Sequence, residues 1–282
     1  MNLALMSLRF GNQLTSLFAP SWTAKRALNK FLTPRKFGQK LWEIQAESLG
    51  IRFKINQQIS AIRWQPNSDN TTSKKVLLVH GWESRATQMY SLVPTLLKLN
   101  YQIVAVDMPG HGKSEGLISD ADKFAETVVL AQEQLGKFDV IIGHSMGAGA
   151  TSIALSRGID CGKIVLISGP SSLENVIRRF SSFIGLNSKA INWFIEHCTE
   201  QVGVAPSVLD SASLLSTIEI PTLIIHDKDD IEVPITESRR LLPVFSNGEL
   251  FITEGLGHRR ILKSEQTLEK IEKFLIDSKV MM

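Results

Sequence analysis

Val140-Ile141-Ile142-Gly143-His144-Ser145-Met146-Gly147-Ala148-Gly149-Ala150 is the stretch from which the rest of the chain can be read. The apolar residues on its left read as a buried strand, and the small residues on its right as the start of a helix packed close to that strand. Between them stands Gly-x-Ser-x-Gly, a pattern that puts a serine on a sharp strand-to-helix turn. Such a turn presses backbone against backbone, so a side chain at 143 or 147 clashes and glycine avoids the clash. The serine oxygen is pushed out above the sheet, and the free amides of the following helix aim at the same spot. The bland alternative is an ordinary Gly-rich turn; the strand before and the helix after argue against it.

The same rhythm runs outward through the chain. Short apolar runs at Val76–Val79, Ile103–Val106, Val140–Ile142, Ile164–Ile167, Thr222–Ile225 and Leu250–Ile252 read as strands. Amphipathic stretches near 87–99, 121–135, 147–157, 234–242 and 264–277 read as helices between them. Continuous apolar strands alternating with helices imply a parallel sheet covered on both faces. Ahead of them, Ile51 to Trp64 alternates apolar and polar around Asn56-Gln57-Gln58, which predicts an antiparallel hairpin at a sheet edge. A polar loop from Pro66 to Lys75 separates the two patterns.

One stretch breaks the rhythm. Between Ser168 and Pro221 no strand is evident, while Ile177, Phe180, Ile184 and Ile191, Phe194, Ile195, Cys198 fall at helical intervals. An insertion over the mouth of the sheet, about residues 171–215, reads as a small helical lid, because loops after strand ends frame the ligand crevice in such folds. Surface helix packing is the plainer reading.

The N-terminal arm differs in charge. The chain carries a net +3, yet Arg9, Lys25, Arg26, Lys30, Arg35, Lys36 and Lys40 all precede the first acidic residue, Glu43, which leaves the remainder at −4. Leu14, Leu17, Phe18 and then Ala24, Ala27, Leu28, Phe31 recur at helical spacing, with a break near Pro20 and a stop at Thr33-Pro34. Three readings stay open for residues 1–42: helices docked on the main body with their lysines in water, a basic amphipathic helix on an anionic membrane, or a cleaved targeting segment. The start has no clear basic n-region and no uninterrupted apolar stretch, so it is a poor secretory signal. The expected division is a helical basic arm, 1–45, and one α/β domain, 46–282.

Composition narrows the classes. No window reaches the apolar length that spans a bilayer, and no basic, aromatic-studded strip points to nucleic acid. The two cysteines, Cys161 and Cys198, each stand alone, which argues against a disulfide framework or zinc site and fits a reducing cytosol.

A serine hydroxyl becomes a nucleophile only when a base takes its proton and a carboxylate orients that base. Of six histidines, His144 neighbours the serine but points away on a sharp turn, His80 ends the first central strand, and His111 lies in a turn-rich loop. His197 belongs to the insertion, and His226 closes a strand as core or rim. His258, in Gly255-Leu256-Gly257-His258, occupies a flexible loop directly after the last strand, where a base can reach the serine. The carboxylate belongs on the preceding strand's loop, where Asp227, Asp229 and Asp230 cluster; at least one of them is expected to be a cap or solvated charge. Their run lacks the spaced ligands of a calcium loop. The oxyanion needs two backbone donors: Met146 N–H is one, and Trp82 N–H, from the turn His80-Gly81-Trp82-Glu83, is the expected second.

Four motifs together resemble the α/β-hydrolase superfamily, over roughly residues 70–280, and within it the serine esterase and lysophospholipase-like branch. They are Val79-His80-Gly81-Trp82, Asp107-x-Pro109-Gly110-His111-Gly112-x-Ser114, Gly143-His144-Ser145-Met146-Gly147 and Gly257-His258. The resemblance implies a mostly parallel eight-stranded sheet and a Ser–Asp–His triad without a cofactor or metal. The family's acid loop reads Gly-x-x-Asp-x-x-Val-Pro; here Asp227 stands in the glycine place and the match puts the acid at Asp230, with Asp229 second. Serine rather than aspartate at 145 argues against a dehalogenase or epoxide hydrolase.

The expected activity is therefore hydrolysis of a small-molecule carboxylic ester in the cytoplasm, with Ser145, His258 and Asp230 as triad and Trp82 and Met146 as oxyanion donors. Phe180, Phe183, Trp193 and Phe194 suggest an apolar acyl group, though packing explains them equally well. Rival readings are thioester, amide or carbon–carbon hydrolysis on the same triad, a non-catalytic binding module, and a lipid hydrolase held at a membrane by residues 1–42. The sequence assigns no oligomeric state.

Overall fold

The computed structural model of the chain describes residues 3–66, 74–215 and 218–277. Eight strands form one sheet in the order β1-β2-β4-β3-β5-β6-β7-β8. They are β1 (Ile51–Lys54), β2 (Ser60–Trp64), β3 (Lys75–Val79), β4 (Gln102–Val106), β5 (Phe138–His144), β6 (Cys161–Ile167), β7 (Thr222–Asp227) and β8 (Gly248–Thr253). β2 runs antiparallel to both of its neighbours, and every other pairing is parallel. The predicted hairpin is thus the sheet's antiparallel edge.

Both faces of the central strands are apolar for a simple reason of period. In β3, Leu77 and Val79 point to one face with Val104, Val106 and Ile141, while Val76 and Leu78 point to the other with Ile103, Ala105, Val140 and Ile142. The first face is covered by α5 (Ala121–Leu135) and α6 (Met146–Ser156). The second is covered by a 3-10 stretch (Ala86–Leu92), α4 (Val93–Lys98) and α12 (Glu265–Ile276). The sequence pattern predicts one helix near 87–99; the structure divides it, with a 3-10 stretch ahead of an α-helix that has Pro94 in its first turn. Proline lacks a backbone donor and has a preset φ, which suits the start of a helix and not its interior.

The arm folds as two helices, α1 (Leu3–Phe18) and α2 (Pro20–Leu32), followed by α3 (Leu41–Ser48), which the periodicity did not reveal. Pro20 opens α2, and the helix ends one residue before Thr33-Pro34. The segment after β6 holds α7 (Leu173–Phe183), α8 (Ser188–Val202) and the short α9 (Ser211–Leu214); α10 (Thr236–Leu241) follows β7, and α11 (Gly257–Arg260) follows β8. The arm and the insertion share one apolar cluster, in which Ala24, Leu28 and Leu32 of α2 pack against Ile177 of α7 and Ala190, Phe194 and Cys198 of α8. Both cysteines are buried free thiols; burial pushes Cys161 up to about 12 and Cys198 up to about 11, so neither is a thiolate at neutral pH. Among the described residues, no helix is long and apolar enough to cross a membrane.

Candidate active site

Ser145 stands between the end of β5 and the first residue of α6, with φ +55° and ψ −124°. A serine in that region is strained by about 1–3 kcal/mol, so the surrounding packing must hold it there. The two glycines of the pattern make the packing possible. A Cβ at Gly143 would lie 2.6 Å from the Ala148 Cα, and one at Gly147 would run into the carbonyl oxygens of Val79 and His80. The Ser145 amide donates to Ile167 O across to β6 at 2.9 Å, which ties the turn to the sheet. Met146 is the first residue of α6, so its N–H belongs to the first-turn donors that no helical carbonyl accepts.

The candidate base and acid meet the serine at the C-terminal edge of the sheet. His258 Nε2 is 2.8 Å from Ser145 Oγ, and His258 Nδ1 is 2.7 Å from Asp230 Oδ2. Both side chains are buried. The expected flexible loop around His258 is instead the helical turn α11, and Gly257 enters it at φ +63°, a left-handed backbone that glycine adopts without a Cβ penalty. His144 holds this turn from below: its Nε2–H donates to the His258 carbonyl at 2.8 Å. Burial, with His258 alongside, pushes the His144 imidazole down to about 3, so it stays neutral.

The three aspartates after β7 have three different tasks. Asp230 Oδ1 accepts the amides of Glu232 and Val233, each at 2.9 Å. Burial works to raise its carboxyl, but the His226 imidazole 3.5 Å from Oδ2 and the hydrogen bond from His258 outweigh it and hold the group well below the usual carboxylate range. Asp227 is fully buried and ties the two loops together: it accepts the Thr253 hydroxyl at 2.7 Å, the Leu256 amide at 3.0 Å and the Asp229 amide at 3.0 Å. Asp229 is exposed and accepts the Gly255 amide at 2.9 Å. The structure therefore brings Asp230, not Asp229, to His258. His226 is core: its Nε2–H donates to Val233 O at 2.8 Å and its Nδ1 accepts the Ser238 hydroxyl at 2.6 Å. Among the described residues no three His, Cys, Asp or Glu side chains converge as a metal-ligand group.

The turn after β3 presses against the serine. A Cβ on Gly81 would fall 2.8 Å from Ser145 Cβ and 3.3 Å from its Oγ, which places the backbone leading to Trp82 beside the hydroxyl. Two neutral histidines hold that turn. His80 Nδ1–H donates to Gly81 O at 2.7 Å and its Nε2 accepts the Met108 amide at 3.0 Å. His111 Nδ1–H donates to Pro109 O at 2.9 Å and its Nε2 accepts the Glu83 amide at 3.0 Å. Burial lowers both imidazoles, so each keeps a lone pair free to accept. Asp107 anchors the next loop by accepting the Ala86 amide at 2.8 Å and the Arg52 guanidinium at 2.7 Å.

Above the serine lies a cavity of about 830 Å³, with Ser145, His258 and Trp82 in its floor and α2, α7 and α8 in its walls. Phe31 of α2 packs on Trp82 with ring centroids 6.3 Å apart, and on Phe180 and Phe194 at 4.7 and 5.6 Å. Arg35, Lys40, Arg259 and Lys263 contribute to its rim.

The alpha/beta hydrolase family pattern matches residues 76–269, over half of the chain. The chain belongs to this family. It is 31% identical over 148 residues to a serine hydrolase-like protein of Dictyostelium discoideum, an alignment that covers 51% of this chain and 37% of that protein. A non-heme haloperoxidase of Rhodococcus erythropolis is 28% identical over 236 residues, covering 66% of this chain and 86% of the relative. Among solved structures, an esterase of Pyrococcus furiosus superposes with a TM-score of 0.61 at 22% identity, covering 86% of this chain and 96% of that one, a likeness of fold.

Within this α/β hydrolase, sequence reasoning passed over three residues that shape the site. His144 reads from the sequence as structural; its ring lies 4.9 Å from that of His258 and reaches the His258 carbonyl. Asp227, in the place where the family has glycine, splices the acid loop to the base loop. Phe31 lies on the arm, more than a hundred residues before the serine, and helical periodicity could mark it as apolar but not say what it covers.

Proposed function

We propose that this α/β hydrolase cleaves carboxylic esters through an acyl-enzyme on Ser145. The observation that carries the proposal is the single imidazole of His258, bonded at once to Ser145 Oγ and Asp230 Oδ2. Asp230 accepts a hydrogen bond from His258 Nδ1–H, which keeps the proton on Nδ1 and leaves the Nε2 lone pair facing the hydroxyl. Ser145 Oγ attacks the ester carbonyl as its proton passes to His258 Nε2. The carbonyl oxygen becomes negative and is held by the Met146 and Trp82 amides. The carbon–oxygen bond to the alcohol then breaks, and the alcohol leaves with the proton from His258. Water enters, gives a proton to the same nitrogen and attacks the acyl carbon; the bond from that carbon to Ser145 Oγ then breaks, Oγ takes the proton back from His258 Nε2, and the acid leaves.

The apolar rings of Phe31 and Phe180 suit an acyl chain rather than a charged one. In this proposal the arm, 1–45, and the insertion, 171–215, act together as the cap of a catalytic domain that spans 46–282. Esters of one alcohol with rising acyl length test both halves of the assignment. We expect kcat/KM to rise about fourfold per methylene until the cavity is filled, from ~0.8 kcal/mol per buried CH2. Ser145→Ala is expected to reduce kcat by roughly ten-thousand-fold or more. A folded wild type inactive on every ester, but active on a thioester, an amide or a carbon–carbon substrate, would transfer the assignment to that bond; unchanged turnover by Ser145→Ala would end it.

A further inference from the structure

Helix α1 is amphipathic in the opposite sense to a helix that covers a core. Leu3, Met6, Phe10, Leu14, Leu17 and Phe18 recur at steps of three and four and, at 3.6 residues per turn, share a stripe about 120° wide. That stripe faces outward: Leu3 is 82% exposed, Phe10 68%, Leu17 69% and Phe18 83%. The face turned to the protein is mainly polar, with Leu8 half-buried against the apolar cluster of α2, α7 and α8. Asn12 and Ser16 are buried; Asn12 Nδ2 donates to Ile184 O at 2.8 Å, its Oδ1 accepts Arg26 at 2.8 Å, and Asn187 Nδ2 donates to Ser16 O at 3.0 Å. Hydrogen bonds therefore fix the helix with its apolar side out, which is the reverse of what burial in water selects.

We propose that α1 lies on an anionic lipid bilayer, its outer stripe in the acyl boundary. The charge of the arm selects this occupant. Residues 1–42 hold seven cations and no acidic residue. Lys25, Lys30 and Lys36 are exposed and take part in no ion pair among the described residues. A second copy of the chain would set cation against cation, whereas an anionic headgroup layer complements them. Trp22 is 57% exposed on the same arm, an aromatic with the amphipathic character of interfacial tryptophans. The helix rests on the bilayer and does not cross it, because no helix among the described residues has the apolar length to do so.

The arm also connects the bilayer to the cavity. Phe31 and Leu32 of α2 line the space above Ser145, and Phe183 of α7, exposed at its outer end, lines it too. On the ester-hydrolase reading this makes a membrane-resident acyl ester the substrate class; the docking itself does not depend on that reading.

Flotation of the full chain with vesicles of phosphatidylcholine, alone or with about 30 mol% phosphatidylglycerol, tests the proposal. Wild type is expected to float with the anionic vesicles and to be released by salt. The triple variant Phe10→Ser, Leu14→Ser, Leu17→Ser is expected to bind them roughly a hundredfold more weakly. It changes only exposed side chains, so its hydrolysis of a soluble short-chain ester is expected to match wild type. Wild type that floats no better with anionic vesicles than without lipid overturns the proposal, as does a variant that floats equally well. A wild-type dimer that dissociates in the variant, without vesicle binding, overturns it in favour of a second copy. Vesicle binding by a protein inactive on every ester leaves the docking standing and removes the ester reading alone.

Discussion

Asp230→Asn is expected to lower kcat/KM by about four orders of magnitude without altering the fold. The substitution is nearly isosteric, and the side-chain oxygen can still accept the Glu232 and Val233 amides that Asp230 Oδ1 accepts now, at 2.9 Å each. What changes is the group that faces His258. The carboxylate oxygen 2.7 Å from Nδ1 becomes an NH2, which donates where a donor already stood. The imidazole relieves that clash by moving its proton to Nε2, and Ser145 Oγ then meets an N–H instead of a lone pair. The loss should fall on kcat more than on KM, since substrate binding does not need the tautomer. Stability gives a second readout. Asp230 is held well below its ordinary value of 3.8 in the fold, so its stabilisation is complete above that value and is lost as pH falls towards the lowered one. The stability difference between Asp230→Asn and wild type should therefore be largest near neutrality and shrink in acid. A variant that keeps wild-type kcat would remove Asp230 from the reaction.

The second large effect concerns folding. Gly147→Ala is expected to destabilise the protein by roughly 3–5 kcal/mol, a drop in Tm of about 10 °C or more. The added methyl meets the carbonyl oxygens of Val79 and His80 at the end of β3, and these are backbone atoms of the central sheet that cannot rotate aside. Relief requires α6 to lift from the sheet, which takes Met146 N–H and Ser145 Oγ with it. Gly38→Ala serves as the control, because nothing lies within 4 Å of a Cβ at that position and its effect should stay within about 0.5 kcal/mol. Equal melting temperatures for the two variants would refute the close-packing account of the serine turn.

The parts of the fold that periodicity could reach were the buried ones. Strands β3 to β7 are largely apolar on both faces because helices cover both, so each reads as an apolar run and only its ends are lost. β5 extends to His144 because backbone pairing continues where hydropathy stops, and the edge strand β8, with Glu249 and Ile252 exposed, shows only its Leu250–Ile252 middle. Helix α3 escaped notice because its apolar residues do not make a stripe: Leu41 and Ile44 are exposed while Glu43 is buried on Thr87, whose hydroxyl donates to it at 2.9 Å. The site residues were legible where motif and chain order agree, as at Ser145 and His258. The acid loop was less so, since a departure from the family's glycine at 227 left two aspartates in play, and only coordinates show that one of them faces His258 while the other faces Gly255. The arm's docking was least legible. An amphipathic pattern states how wide a stripe is but not whether it turns inward or outward, and in α1 it turns outward.

The most direct measurement of the central claim is the site of covalent capture by a fluorophosphonate. Its phosphorus accepts only an activated nucleophile, and fluoride leaves as the bond forms. Intact mass followed by peptide mapping of the labelled protein is expected to place one adduct on Ser145, and to find none on Ser145→Ala and at most slow labelling of His258→Ala. An adduct on any other residue, or a folded wild type that stays unlabelled, would contradict the claim that His258 and Asp230 make this serine a nucleophile.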